Sequence, residues 1–94
     1  MKHVSSAKIT TPNASGYLQQ LCKHFGHKID VVFSSHEGKI LFPFGSAEMI
    51  AKADQLVMVL RAEDAEALAK LQQVMSSHLT RFAFREDLQI KWSN

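Results

Sequence analysis

Ile29-Asp30-Val31-Val32-Phe33-Ser34 and Lys39-Ile40-Leu41-Phe42-Pro43-Phe44 are two β-rich runs separated only by Ser35-His36-Glu37-Gly38. Branched and aromatic side chains favour extended backbone, and a short polar gap ending in glycine makes an antiparallel hairpin the simplest connection. A sheet built from such hairpins buries one face and turns the other outward. The fold therefore depends on what the rest of the chain supplies to cover the buried face.

Downstream, Gly45 breaks the second run. Ala47-Glu48-Met49-Ile50-Ala51-Lys52 and Gln55-Leu56-Val57-Met58-Val59-Leu60 then read as a second strand pair turning at Ala53-Asp54. Upstream, Ala14, Leu18, Leu21 and Phe25 fall on one helical stripe with Tyr17 at its edge, and Gly26 is its stop. Thr11-Pro12 reads as the N-cap and first helical residue of that helix, and residues 3–10 as a half-buried strand before it. Acidic Glu63, Asp64 and Glu66 favour the start of a second helix over residues 64–80, continued by Leu68, Leu71, Met75, His78, Leu79 and Phe82. Leu88-Gln89-Ile90-Lys91-Trp92 alternates cleanly and is expected to close the chain as a strand.

The order β-α-β-β-β-β-α-β specifies a single α+β domain over residues 1–94, an antiparallel sheet of about six strands with two helices packed on one face. Ile29, Val31, Phe33, Ile40, Phe42, Phe44, Leu56, Met58 and Leu60 are expected to face the helices. That phase turns Val32, Leu41, Pro43, Val57 and Val59 outward, more apolar surface than solvent ordinarily meets. The outer face is accordingly expected to form a homodimer or to hold a ligand.

Composition narrows the function classes. Eleven Lys and Arg against nine Asp and Glu leave a formal charge of +2, with the basic residues scattered rather than clustered. Nucleic-acid binding draws on a basic face that releases counterions at several phosphates, and no such run exists here. No stretch approaches the roughly 18 apolar residues of a membrane span, and the first residues run into a polar segment rather than an apolar leader core. A single thiol, Cys22, cannot form an internal bridge and suits a reducing compartment, so a cytoplasmic location is expected. No phosphate-binding glycine loop, Gly-x-Ser-x-Gly elbow or His-Glu-x-x-His motif occurs.

The densest chemistry lies in Leu21-Cys22-Lys23-His24-Phe25-Gly26-His27-Lys28. Cys22 and His24 are the residue types of a metal site or an activated nucleophile. Two residues on a helix are about 200° apart, however, so their side chains do not meet, and a lone cysteine is most often a buried core residue. His24, His27 and Lys28 cluster at the helix exit, where cations also favour the negative end of the helix dipole. His78 sits in the apolar stripe of the second helix, either as a core histidine bonded to backbone or Tyr17, or lining a pocket near Arg81 and the end of the first helix. Arg81 and Arg85 could hold an anion, although pairing with Glu86 and Asp87 is the simpler expectation. His36, His78 and Glu86 are the further metal-ligand candidates, without motif spacing to support them.

Tyr17 to Lys28, Gly38…Pro43-Phe44-Gly45 and His78-Leu79-Thr80-Arg81-Phe82-Ala83-Phe84-Arg85-Glu86 together resemble the bacterial family of domains of unknown function numbered 2218. The Cys-Lys-His-aromatic-x-His-Lys and Arg-Phe-Ala-Phe-Arg-Glu runs are the most specific parts, and the resemblance spans nearly the whole chain. It implies a small stand-alone bacterial α+β protein, with relatives joined to siderophore-interacting flavoproteins, and no established reaction. Cys22, His24, His27, His78, Arg81 and Arg85 occupy matching positions, whereas Phe25-Gly26 stands where tryptophan-serine is more usual. The expected function is a non-catalytic cytoplasmic binding or accessory module, homodimeric and without a cofactor, tied to siderophore-iron handling by that resemblance. Its ligand surface would be the rim of His24, His27, Lys28, His78, Arg81 and Arg85, taking a small anionic ligand or a siderophore-interacting flavoprotein. The alternatives are a metal- or thiol-dependent enzyme or redox protein using Cys22 and histidines, and a purely structural homodimer.

Overall fold

The computed structural model describes residues 3–93. The elements run β1 (His3–Thr10), α1 (Ala14–Phe25), β2 (Asp30–Phe33), β3 (Glu37–Phe42), β4 (Gly45–Ala51), β5 (Gln55–Ala62) and α2 (Ala65–Phe82). All five strands form one antiparallel sheet in the order β1-β5-β4-β3-β2. The first strand thus lies at one edge and the second at the other, with α1 spanning the sheet between them and α2 returning beside it. The α+β class and the four-strand run between the helices are as expected, and the described residues form five strands, close to the expected number of about six.

The missing strand is the tail. Leu88, Ile90 and Trp92 alternate and are half-buried against the core, but residues 87–92 make no ladder. One bridge ties the segment to β1, the Ser6 N–H donating to the Ser93 carbonyl at 2.9 Å and the Ser93 N–H returning to Ser6 at 2.8 Å. The Trp92 indole N–H instead donates to Ser76 Oγ on α2 at 2.9 Å. Alternation here reports side chains resting on the core without a paired neighbouring strand.

Burial follows the expected phase in the centre of the sheet. Ile9, Ile40, Ala47, Leu56, Met58 and Leu60 are fully buried, and they meet Ala14, Leu18, Leu21 and Cys22 of α1 and Leu68, Leu71, Met75 and Leu79 of α2. The edge departs from it: Phe33, expected inward, is exposed at its position on the short edge strand. Pro43 lies in the tight β3–β4 turn rather than on the outer face, because Gly45 is already the first residue of β4. Two glycines set the spacing of the layers. A Cβ on Gly38 would come within 2.8 Å of Cys22 Sγ and 3.2 Å of Leu18 Cδ2, and one on Gly45 would collide with the Arg61 carbonyl and the Leu71 side chain.

The start of α1 is built differently from the Thr11-Pro12 expectation. Asn13 is the N-cap residue, and Pro12 stays outside the helix. Thr11 Oγ1 accepts from the Asn13 N–H at 3.1 Å and donates to Glu86 Oε1 at 2.9 Å. Glu86 also accepts from Asn13 Nδ2 at 2.9 Å and from the Tyr17 hydroxyl. One carboxylate therefore joins the segment after α2 to the first turn of α1. The Tyr17, Asn13 and Thr11 donors hold the Glu86 carboxyl below its ordinary range, while burial and then the Glu86 contact push the Tyr17 phenol up. The second helix is capped as its acidic start implied, Asp64 Oδ1 accepting from the Ala67 N–H at 2.8 Å.

Two outcomes follow from this packing. Gly38→Ala should cost about 1–3 kcal/mol in urea unfolding, and Gly45→Ala more, because the blocking atom at Gly45 is backbone and cannot move aside. Glu86 contributes stability that is present above the ordinary glutamate pKa of about 4.5 and lost as pH falls through its lower folded value. Glu86→Gln should lower the melting temperature at neutral pH and flatten its decline in acid.

Candidate functional site

The ends of the two helices carry the charged chemistry. On α1, His24 lies one turn beyond the buried Leu21, and on α2 His78 precedes the buried Leu79. The buried stripe of α2 is Leu68, Leu71, Met75 and Leu79, so His78 stands on its flank, half-buried, rather than at its centre. This phase brings the His24 and His78 rings together with centroids 5.0 Å apart. Phe25 packs against both, at 5.1 Å from His24 and 4.9 Å from His78, and Phe42 lies 5.1 Å beyond Phe25. Phe82 closes the other side, 5.7 Å from His24. Two imidazoles, His78 half-buried and His24 exposed, thus rest against phenylalanine rings.

The tautomer of His78 follows from its hydrogen bond. Nδ1 sits 2.7 Å from the Val74 carbonyl, which can only accept, so Nδ1 carries the proton and Nε2 keeps a lone pair when the ring is neutral. Of the two expectations for His78, backbone bonding and proximity to the end of α1 are both observed, while Tyr17 is bonded to Glu86 instead. The pKa of His24 is lowered, first by partial burial against these rings and then by the charges of His78, Arg81, His27 and Lys28. Four of the other five rim residues thus lie close enough to His24 to repel its proton. Arg85 stands apart from that group, its guanidinium 5.4 Å from the exposed Phe84 ring.

The expected pairing of Arg81 and Arg85 with Glu86 does not form. Glu86 is turned to Thr11, Asn13 and Tyr17, and among the described residues the ion pairs are Glu48 with Lys39 at 4.0 Å and with Arg61 at 2.5 Å. The arginines at the end of α2 consequently keep their charge uncompensated by a carboxylate. Sequence spacing gave no sign of this, because the competing donors lie some 70 residues earlier in the chain.

Cys22 does not take part. It is fully buried over Gly38, and burial pushes its thiol up to about 11, far from a reactive thiolate at neutral pH. Among the described residues no three His, Cys, Asp or Glu side chains converge as metal ligands. His36 is in the β2–β3 turn, its Nδ1 2.9 Å from Ser35 Oγ. No helix among the described residues is long and apolar enough to cross a membrane.

The other notable surface is the outer face of the sheet. Val32, Leu41 and Ile50 are 78%, 45% and 46% exposed, and Val57 and Val59 are half-buried beside them. Val32, Ile50, Val57, Val59, Lys39 and Glu48 line a shallow depression of about 640 Å³.

Comparison with known proteins agrees with this architecture. Residues 6–93 match the family described as an uncharacterized protein conserved in bacteria (DUF2218). The NMR structure of PA4090 from Pseudomonas aeruginosa is similar at a TM-score of 0.82 and 37% sequence identity, over 96% of this chain and 94% of that one. No curated protein matches the chain. A match over nearly all of the sequence, joined to a shared fold at that identity, makes the chain a member of the bacterial DUF2218 family.

Proposed function

We propose that the chain is a non-catalytic binding module that takes a small anionic ligand where the ends of α1 and α2 meet. The observation that carries this reading is the 5.0 Å contact between the His24 and His78 rings, which places charged residues of two helices around one point. His27, Lys28 and Arg81 surround it. Both helices present C-terminal ends here, and each dipole offsets about half a unit of positive charge. Two ends therefore cancel about one charge, whereas Lys28 and Arg81 carry two before any histidine is protonated. The remaining surplus favours an anion, and the phenylalanine wall supports the flat or apolar part of a ligand.

The buried, protonated thiol and the lack of a converging metal set among the described residues weigh against the enzyme alternative. An iron–siderophore complex is one anion of suitable class, and that part of the proposal rests on the family resemblance alone.

Citrate serves as a probe, followed by the ring-proton resonances of the histidines. It should shift His24 and His78 saturably while leaving His3 on β1 and His36 in the β2–β3 turn unmoved. Arg81→Gln should weaken the interaction about ten-fold, corresponding to about 1.4 kcal/mol, and Arg85→Gln much less. Binding should tighten as pH falls from about 6.5 down through the lowered His24 value, since the anion stabilises the protonated form of His24 that burial and neighbouring cations disfavour. Parallel shifts of all the histidines, or none, would remove the proposal.

A further inference from the structure

The outer face is organised as rows across the sheet. In one row Asp30 on β2 lies beside Leu41, Ser46 and then Arg61 on β5. In the next, Val32 lies beside Lys39, Glu48 and Val59. In a third, Glu37 lies beside Ile50, Val57 and Lys8 on β1. Negative ends of the outer two rows thus fall on the β2–β3 side and positive ends on the β5–β1 side, with Leu41 and the buried Ser46 between them in one row and Ile50 and Val57 in the other.

We propose that this face is the interface of a homodimer in which two copies pack face to face about a two-fold axis parallel to the strands and lying between β3 and β4. Such an axis exchanges β3 with β4 and β2 with β5. It lays Asp30 of one copy over Arg61 of the second, Val32 over Val59, and Lys39 over Glu48. Each of those contacts occurs twice, as an isologous interface requires. The strand axes of the two sheets are then aligned, with each strand facing an oppositely directed one, the arrangement in which sheets pack about 10 Å apart. A partner carrying one dominant charge would meet both signs on this surface. A second copy in this orientation instead sets Asp30 against Arg61 and extends the Lys39–Glu48–Arg61 ion pairs across the interface, with Glu37 over Ile50 and Lys8 outside the overlap.

The area suits a weak dimer. Only β2 to β5 of each copy overlap about this axis; four strands about 4.8 Å apart and about 24 Å long present roughly 460 Å², so two copies cover up to roughly 900 Å². That is the size of weak, transient interfaces, consistent with association in the upper micromolar range rather than nanomolar. Val32, exposed more than any other aliphatic residue of the face, is the side chain placed to enter the partner's depression beside Val59.

Sedimentation of the full chain between about 5 and 500 µM tests the proposal. The mass should rise from 10.6 kDa toward twice that value. Asp30→Arg and Arg61→Asp should each weaken dimerisation about ten-fold or more by setting like charges against each other, and the double exchange should recover most of the loss. Amide spectra of each variant confirm that it is folded, and Val59→Glu provides a second disruption independent of the charges. A chain that stays monomeric at 500 µM overturns the proposal. So do folded single variants that dimerise as well as the parent, or an amphiphilic dye that saturates the face of a monomer at all concentrations.

Discussion

The close approach of α1 to β3 sets the geometry of the molecule. Cys22 and Leu18 rest directly on Gly38, a position where even a methyl group has no room. This contact fixes the height of α1 above the sheet and its rotation about its own axis. Because a helix turns about 100° per residue, burying Leu21 and Cys22 obliges His24 to emerge on the flank facing α2. The cysteine therefore serves the histidine through the rigidity of the packing rather than by chemistry.

A second constraint acts on the opposite end of the helix layer. Glu86 collects Thr11, Asn13 and Tyr17 and ties the chain beyond α2 to the beginning of α1. The same commitment turns the Glu86 carboxylate away from Arg81 and Arg85. A structural clamp thereby leaves a cationic end uncompensated, and charged residues that would have neutralised each other become available for a ligand. The half-buried His78 is then fixed as a backbone donor, while the exposed His24 is held below its ordinary pKa by desolvation and by its charged neighbours.

Much of this was legible in the sequence where periodicity and burial coincide. The stripe through Ala14, Leu18 and Leu21, the alternation through Leu56, Met58 and Leu60, and the acidic start of α2 each have one physical solution. The departures arise where tertiary contacts compete with local pattern. Thr11 has the chemistry of an N-cap, but its hydroxyl is shared between Asn13 and Glu86, so the helix begins later. Leu88 to Trp92 alternates because its side chains rest on the core, and one bridge to Ser6 is all the pairing it gains. Local helical phase separated Cys22 from His24 correctly, yet could not bring His24 to His78, 54 positions away, nor turn Glu86 from the arginines.

The central claim is that helix packing forces His24 and His78 into one cationic, aromatic-walled cluster. A histidine-resolved proton experiment on the ligand-free chain tests it most directly, reading ring-to-ring Overhauser contacts together with the His24 titration. The account predicts a direct contact between the two rings and a His24 midpoint below the ordinary value of 6.5. Absence of that contact, with His24 titrating at or above 6.5, would contradict it.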